Sequence, residues 1–516
     1  MSKREIWIEN KYLCFPIRKG ASLKCLEILD DRGEKCFEFL VPVGEYEEEY
    51  SYDYLAELLV EEYVGQKLVL QGEFPQVFWE KVSCTSKVRE TMVDGFDKER
   101  PVIHFTPEYG WMNDPNGLVY KDGLYHMYFQ YNPYDIIWNN MSWGHAVSED
   151  LLHWKQLDTV LFPDENGTMF SGCGMGNDQG ALELPKDALL FFYTAAGGTN
   201  EWSDGKEFTQ RLAYSVDGGQ TLQKLDSPYI PTIGSCKENR DPKVFWHAAT
   251  QAYICALWLE GNDFAVLCSE DLKEWTLTDR FSLEGAWECP DLLKVTGESG
   301  EEKWLYWSAD GYYFWGEFDG YRFRTDGQRH CAYMNKNAYA AQTYSGVEGR
   351  IVSVPWLRLP NRGRNYTGVM GLPREFTFRY EGEECVLVQK PVKELLQIRE
   401  KQQELNEKVV CVGQKPGEVY LLELELPTDG VFLEIECAAL TLSYDQRAGL
   451  LQVREEQYPV GADRTRLSLL VDAQVLELSM DEGVKLGMFE LEPQETGATI
   501  VLKADKEINV QIFSVK

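Results

Sequence analysis

Short apolar runs rich in Tyr, Phe, Trp, Val and Leu recur along the whole chain and alternate with polar turn residues. Asp-Gly, Gly-Gly or Asn-Gly pairs separate many of these runs, as in Leu118 to Tyr131 around Asp122-Gly123. Such a pattern predicts β-hairpins. Helical periodicity is rare, so we expect an all-β protein.

A repeated motif places a carboxylate at or just before an x-Pro step, directly ahead of an apolar run. It occurs at Asn113-Asp114-Pro, Arg240-Asp241-Pro and Glu288-Cys-Pro. The residue before proline favours extended geometry, so each carboxylate is expected at the entrance of a strand. Phe170-Ser171 and Tyr339-Ala-Ala fall where two further repeats should begin.

These five anchors, at 114, 171, 241, 288 and 339, are separated by 57, 70, 47 and 51 residues. Repeats of that size predict a five-bladed β-propeller. A second series, out of phase with the first, predicts Asp-centred turns at Ser148-Glu-Asp, Ser215-Val-Asp, Ser269-Glu-Asp and Phe318-Asp-Gly. In a propeller the innermost strands start at one end of the channel, so the anchors are expected to share a pocket.

The predicted domain order is a small accessory β-domain over 1–95, the propeller over 96–376, a linker over 377–405 and a C-terminal β-sandwich over 406–516. Regularly spaced strands such as Val419 to Leu426 and Val431 to Cys437 favour the sandwich. The linker holds the clearest predicted helix, Lys390 to Leu405, in which Leu395, Leu396 and Ile398 lie on one side.

Composition narrows the function. A net charge of −33 argues against nucleic acid and anionic membranes as partners, and it fits a neutral substrate. The thirteen cysteines are scattered without zinc spacing, no phosphate or dinucleotide fingerprint is present, and neither a metal nor a cofactor is predicted. Without a signal peptide, reduced thiols predict a cytoplasmic protein. A homo-oligomer is compatible with the sequence.

Three converging carboxylates are suited to glycoside cleavage, in which one group attacks the anomeric carbon and another protonates the leaving oxygen. Asn113 and the turn amides are expected to hold Asp114 ionised, and Arg240 is expected to keep Asp241 deprotonated. Partial desolvation beside Trp287 would suit Glu288 to act as the acid. Taken singly, each has an ordinary explanation: a turn aspartate, a structural ion pair and a solvated glutamate.

The chain resembles glycoside hydrolase family 32, the family of invertases, inulinases and levanases, over about residues 101 to 516. The matching stretches are Trp111-Met-Asn-Asp-Pro-Asn-Gly117, Tyr128-Phe-Gln-Tyr-Asn-Pro133, Trp143-Gly-His-Ala146, Asp150-Leu-Leu-His-Trp154, Phe170-Ser-Gly172, Arg240-Asp-Pro242 and Glu288-Cys-Pro-Asp291. The first residues resemble the accessory domain that precedes some bacterial levanases.

The resemblance implies a retaining β-fructosidase with Asp114 as nucleophile, Glu288 as acid/base and Asp241 as transition-state stabiliser. It also implies a fructose pocket lined by Trp111, Asn113, Gln130, Trp138, Phe170, Ser171, Arg240 and Tyr339. The substrate would be sucrose, a fructo-oligosaccharide or a fructan. A fructosyltransferase, a non-catalytic sugar-binding propeller and an inverting pentose hydrolase are the alternatives.

One segment departs from the family pattern. Where members commonly have Asp-Phe/Trp-Tyr-Ala, this chain has Asn337-Ala-Tyr-Ala340, and an acidic position upstream is replaced within Ala332 to Asn335. We therefore expect the fifth blade to contact the departing group differently, and the linkage preference stays open.

Overall fold

The computed structural model describes residues 2–44, 51–86, 100–227, 229–462, 464–492 and 498–516. Strands dominate these ranges, and the α-helices found there, α1 (Gln76–Lys81) and α2 (Lys393–Ile398), have six residues each. Within the same ranges no helix is long and apolar enough to cross a membrane. The predicted boundary at residue 95 lies outside the described residues.

The N-terminal domain consists of two antiparallel sheets in the strand orders β1-β6-β3-β4 and β5-β2-β7. In β5, Tyr54, Ala56 and Leu58 alternate with more exposed residues, which buries one face of the sheet. Phe39 packs on Tyr134 of the next domain at 4.3 Å between ring centroids. The strands are β1 Ser2–Trp7, β2 Tyr12–Ile17, β3 Ser22–Leu29, β4 Lys35–Val43, β5 Tyr54–Leu59, β6 Lys67–Gly72 and β7 Ser83–Thr85.

Five four-stranded antiparallel sheets follow, each built from strands consecutive in sequence apart from short additions. They are the predicted blades. The strands of blades one to three are β8 Gly110–Lys121, β9 Leu124–Asn132, β10 Ser142–Ser148 and β11 Lys155–Leu161; β12 Thr168–Gly176, β13 Leu189–Ala196, β14 Thr209–Ser215 and β15 Gln223–Lys224; β16 Arg240–His247, β17 Ala252–Glu260, β18 Asp263–Ser269 and β19 Thr276–Ser282.

Short additions extend blades one, four and five. The strands of blades four and five are β20 Asp291–Thr296, β21 Glu302–Trp307, β22 Tyr312–Phe318, β23 Phe323–Thr325 and the added β24 His330–Cys331; β25 Ala338–Thr343, β26 Val352–Leu357, the added β28 Val369–Met370, β29 Arg374–Glu381 and β30 Glu384–Pro391. The added β27 Tyr366–Thr367 pairs in parallel with β8 of blade one. First strands contact one another, β8 with β12 and β12 with β16. The ring closes where Val119 of β8 forms a parallel bridge with Ser345, just after β25.

The predicted Asp-centred turns are confirmed between the third and fourth strands of four blades. Asp150, for example, accepts the backbone N–H groups of Leu152 (3.0 Å) and His153 (2.8 Å), and Asp319 does the same for the turn in blade four. The Asp122-Gly123 hairpin is also confirmed, with both residues at positive φ between β8 and β9.

The predicted linker is wrong in two respects. Residues 374–391 form β29 and β30 of the fifth blade, so the propeller extends beyond residue 376. Helix α2 ends at Ile398, and the residues from Arg399 onward form a strand instead of the predicted helix to Leu405. The C-terminal strand pairs with this segment from Arg399 against Val515, and that tertiary pairing overrides its helix propensity.

The sandwich begins at β31, earlier than predicted, and its two layers share the long C-terminal strand β40. This strand pairs with β33 through Ile500 to Ala504 and with β32 through Asn509 to Val515. The strands are β31 Arg399–Gly413, β32 Val419–Glu425, β33 Phe432–Cys437, β34 Leu440–Asp445, β35 Leu450–Val453, β36 Glu456–Pro459, β37 Arg466–Asp472, β38 Val475–Met480, β39 Lys485–Glu490 and β40 Thr499–Val515.

A buried charged cluster joins the sandwich to the propeller. His104 contacts Asp472 through Nδ1 (2.8 Å) and Glu477 through Nε2 (3.2 Å). Asp472 also accepts three backbone N–H groups from residues 102–104, and Arg374 of β29 donates to Glu477. We call His104, Arg374, Asp472 and Glu477 the interface cluster.

Candidate active site

One end of the propeller ring brings the predicted anchors together. Asp114, Ser171, Asp241 and Tyr339 lie near the starts of β8, β12, β16 and β25, and Glu288 precedes β20 by three residues. A cavity of about 220 Å³ opens there. Its lining consists of Asn113, Asp114, Gln130, Trp138, Phe170, Ser171, Arg240, Asp241, Glu288, Tyr339 and Trp356.

The first strands of four blades are interrupted at the positions that line this cavity. Their pairing with the second strand shifts register between Met112 and Pro115, Met169 and Gly172, Arg240 and Lys243, and Tyr339 and Gln342. A β-bulge re-aims the side chains that it contains. The four bulges therefore turn side chains of these strands toward the cavity.

Backbone conformations near the carboxylates are unusual. Asp241, Glu288, Cys289 and Ala340 have φ values of 61°, 49°, 39° and 50°. The extended geometry expected before proline is therefore wrong for Asp241 and Cys289, because the bulge and the turn before β20 impose left-handed conformations. Hydrogen bonds hold this backbone: Ala309 donates to the Glu288 carbonyl (3.1 Å), and Ala340 donates to the Ala309 carbonyl (2.8 Å).

Asp114 is held through both carboxylate oxygens. Ser171 donates to Oδ2 at 2.6 Å and Asn113 donates to Oδ1 at 3.1 Å. Burial raises the pKa of Asp114 above its ordinary value, while the two hydrogen bonds oppose that shift and the charge of Glu288 adds to it. The expected contact with Asn113 is present, and Ser171 is a second donor from the neighbouring blade.

Glu288 lies nearer the mouth, with its side chain 18% exposed. Arg240 donates to Oε1 through Nε (3.1 Å) and a terminal nitrogen (2.5 Å), and the Tyr339 hydroxyl donates to Oε2 at 2.5 Å. Trp287 donates in turn to that hydroxyl at 2.7 Å. The Arg240 guanidinium also lies 4.0 Å from the ring centroid of Trp258, which fixes its orientation.

The expectation that Arg240 keeps Asp241 deprotonated is wrong. Burial, followed by the charge of Glu288, raises the pKa of Asp241 to about 7, and the opposing charge of Arg240 is outweighed. Arg240 bonds to Glu288 instead because the bulge in β16 points adjacent side chains in different directions. Asp241 accepts the Cys289 backbone N–H at 3.1 Å.

Cys289 joins the carboxylates physically. Its thiol lies 3.5 Å from Asp241 Oδ2 and 3.7 Å from Asp114 Oδ2. Burial, together with the neighbouring carboxylates, raises the pKa of this thiol well above its ordinary value, so it stays a neutral donor. Asp114, Asp241 and Glu288 therefore surround one small space that contains one arginine, and we call them the carboxylate trio.

Comparison with known sequences identifies the family. Residues 104–391, more than half of the chain, match the model described as the glycosyl hydrolases family 32 N-terminal domain. The chain belongs to glycoside hydrolase family 32.

Curated relatives in family 32 include the levanase of Bacillus subtilis (strain 168), 33% identical over 413 residues, which cover 72% of this chain and 58% of the levanase. The extracellular exo-inulinase of Aspergillus awamori is 33% identical over 347 residues, 57% of this chain and 64% of that protein. The matches thus span about three fifths of the length of these relatives.

Solved family 32 structures share the fold. The crystal structure of exo-inulinase from Aspergillus awamori has a TM-score of 0.71 at 25% identity and covers 82% of this chain and 99% of its own. A family 32 glycoside hydrolase from Bifidobacterium adolescentis has a TM-score of 0.69 at 18% identity and covers 100% of this chain and 99% of its own. The second likeness, which concerns the fold alone, includes the N-terminal domain.

Most of the substrate-binding residues predicted from the family 32 resemblance line the cavity. Trp138 is 49% exposed and packs edge-to-face with Phe170 at 5.9 Å, which forms a ridge on one side of the mouth. Trp111 lies behind the lining, where its indole donates to Asn113 at 2.8 Å. Trp356 lines the cavity but was not predicted, because β26 carries no motif and contributes it only through the fold.

The segment around Asn337, which departs from the family pattern, contacts the sandwich. Asn335 and Asn337 both donate to the carbonyl of Met488 in β39, at 2.5 and 2.9 Å. They hold the segment before β25 on the sandwich and are not among the residues that line the cavity. Arg358 packs over the Tyr339 ring at 4.2 Å, so Tyr339 is supported from outside the cavity.

No cluster of three or more His, Cys, Asp or Glu side chains with the geometry to hold a metal occurs in the described ranges. The chemistry available at this site is that of the carboxylates, the thiol, Tyr339 and Arg240. Three acids in one small cavity can supply acid/base and nucleophilic steps.

Proposed function

We propose that this protein hydrolyses β-fructosides and releases fructose from the non-reducing ends of sucrose, fructo-oligosaccharides or fructans with retention of configuration. The observation that carries the proposal is the convergence of Asp114, Asp241 and Glu288 on a cavity of about 220 Å³. A cavity of this size suits one terminal sugar unit, which favours exo cleavage.

In the first step, Asp114 attacks the anomeric carbon of the fructosyl unit. The bond from this carbon to the leaving oxygen breaks, and a proton moves from Glu288 to that oxygen. Ser171 and Asn113 support the proposal, since they orient the Asp114 carboxylate and hold its charge. The product is a fructosyl ester of Asp114 and a free alcohol.

In the second step, water replaces the leaving group. Glu288 accepts a proton from the water while the oxygen bonds to the anomeric carbon and the ester bond to Asp114 breaks. Tyr339 and Arg240 contact the two Glu288 oxygens and keep the carboxylate at the mouth, where the leaving group and the water must pass. The cycle restores both carboxylates to their starting states.

Asp241 is assigned to the hydroxyls of the fructosyl unit. It is buried, it accepts hydrogen bonds, and among the described residues no cation pairs with it directly. Such a group binds a neutral hydroxyl tightly. When Asp241 is ionised, its negative charge also stabilises the positive charge that develops on the ring.

The relatives support hydrolysis rather than transfer. Their names are levanase, exo-inulinase and invertase. We also propose that the protein acts in a reducing compartment such as the cytoplasm, because all thirteen cysteines are free. Its substrates would then be sugars that have been imported.

A substrate panel tests the proposal. Sucrose, kestose, inulin and levan are incubated with the wild-type protein and with Glu288→Gln, and released fructose is measured. We expect fructose from at least one of them with the wild-type protein and a loss of nearly all activity in the variant. No release from any of the four, or equal release by the variant, would contradict the proposed function.

A further inference from the structure

We propose that the N-terminal domain completes a second sugar-binding site, which holds a remote unit of an oligosaccharide whose terminal fructose occupies the active-site cavity. The proposal rests on the proposed function and names its substrate more closely. The site is a cavity of about 550 Å³ between the N-terminal domain and blades one and two. Its volume lies in the range of roughly 300–1,000 Å³ that is usual for small-ligand sites.

Strand β4 forms the wall of this interdomain cavity and is fastened to the propeller at two points. The backbone of Leu40 exchanges two hydrogen bonds with the side chain of Asn140, at 2.8 and 2.9 Å. Glu38, which is buried, accepts the backbone N–H of Trp202 at 3.0 Å and pairs with Lys35. The wall is therefore preorganised, which lowers the cost of binding a ligand.

The interdomain cavity and the active-site cavity are neighbours, because residues adjacent in the chain line one or the other. Asn139 and Asn140 line the former, and Trp138, next in the chain, lines the latter. On the second blade, Thr168 lines the interdomain cavity and Phe170 lines the active-site cavity. The ridge formed by Trp138 and Phe170 thus stands between the two cavities, and a sugar chain that leaves the active site over this ridge enters the interdomain cavity.

The polar groups of the interdomain cavity suit a neutral polyhydroxy ligand. Glu201 and Asp204 lie on the loop between β13 and β14, at the same end of the blade as the active site. Both are exposed, and in the described part of the chain their carboxylates make no ion pair or side-chain hydrogen bond. Sugar hydroxyls donate strong hydrogen bonds to carboxylates, while the partly exposed Leu40 offers apolar surface to the sugar ring.

A kinetic comparison of two substrate lengths tests the site in the full-length protein. The double variant Glu201→Ala/Asp204→Ala removes the carboxylates, and Cys25→Phe fills the cavity without removing a side-chain hydrogen bond. The matched control Glu149→Ala/Asp187→Ala removes two exposed acids from turns at the opposite end of the propeller. The probes are sucrose and the tetrasaccharides with β-2,1 and β-2,6 linkages.

We expect KM for at least one tetrasaccharide to rise about tenfold in the double variant and in Cys25→Phe, with kcat and KM for sucrose within about twofold of wild type. The control should change neither substrate. An unchanged tetrasaccharide KM, or an equal rise for sucrose, would overturn this site and leave the proposed function standing. A wild-type protein that releases no fructose from any probe would overturn the proposed function instead.

Discussion

The carboxylate trio and the interface cluster both bury acidic side chains, and their electrostatics are opposite. At the interface, Arg374 and His104 lower the pKa of Glu477 to about 2 despite its burial. In the trio, Arg240 pairs with Glu288, and burial together with the charge of Glu288 raises the pKa of Asp241 to about 7. The acids of the interface cluster are paired with cations and join two domains. The acids of the carboxylate trio are not fully paired and are available for a substrate.

The backbone shows the same contrast. Asp472, at the end of β37, accepts three backbone N–H groups and itself has no positive φ. Asp241 and Glu288 instead have left-handed backbone conformations. Strain of this kind persists where the surrounding structure imposes it, and it is frequent at functional sites. Removing acids from the two groups should therefore have opposite consequences for activity and stability.

The largest expected effect is on catalysis. Asp114→Asn or Glu288→Gln should each lower kcat/KM for the preferred fructoside by about 10⁴-fold or more, because each removes a group that reacts. The release of fructose is the measurement, and circular dichroism should show an unchanged fold. Glu284→Gln, which changes an exposed acid nearby, is the control. Wild-type-like turnover in either variant would contradict the catalytic role assigned to the residue that was changed.

The next effect is on stability. Glu477→Gln should lower the free energy of unfolding by about 3–5 kcal/mol, because Arg374 stays buried without its charged partner and His104 loses one of its two partners. Urea unfolding at pH 7 measures the change. Glu482→Gln, at exposed pairs with Arg466 and Lys390, should cost less than about 1 kcal/mol. Equal losses of unfolding free energy in the two variants would contradict a structural role for the interface cluster.

Asp241→Asn should act in the opposite direction and stabilise the protein by an amount on the order of 1 kcal/mol at pH 8. The folded-state pKa of about 7 lies above the ordinary 3.8, so the wild-type protein loses stability as pH rises from about 4 through 7. The variant lacks this loss. Urea unfolding at pH 5 and pH 8 measures the difference, and a gain that is larger at pH 5 would be the wrong sign.

The smallest effect concerns His104. Its pKa is raised from 6.5 to about 9 by hydrogen bonds with Asp472 and Glu477 that outweigh burial. The stabilisation is therefore complete below pH 6.5 and is lost as pH rises through 9. The thermal midpoint should fall by about 1 to 3 °C across this interval in the wild type and by less in His104→Gln. Parallel curves for the two proteins would exclude this role.

Much of the propeller could be predicted because its signals are local. Asp or Gly fixes a turn, and the repeated spacing of Asp114, Asp241 and Glu288 indicates the first strands of three blades. The Asp-centred turns are equally local, since Asp150 bonds to residues two and three positions away.

The failures concern contacts that only tertiary structure decides. Residues 399–405 have helix-forming side chains, yet a strand more than a hundred residues away pairs with them. Arg240 was assigned to Asp241, its neighbour in sequence, because nothing in the sequence reveals the bulge that turns it to Glu288. Trp356 and the interdomain cavity arise from surfaces that no motif marks.

The most direct test of the central claim is to trap the covalent intermediate. The wild-type protein is mixed with its preferred fructoside, quenched in acid within milliseconds, digested and analysed by mass spectrometry. The account predicts one hexosyl unit attached to the peptide that contains Asp114, and no such adduct in Asp114→Asn. Turnover without any adduct, together with a first product of inverted anomeric configuration, would contradict it.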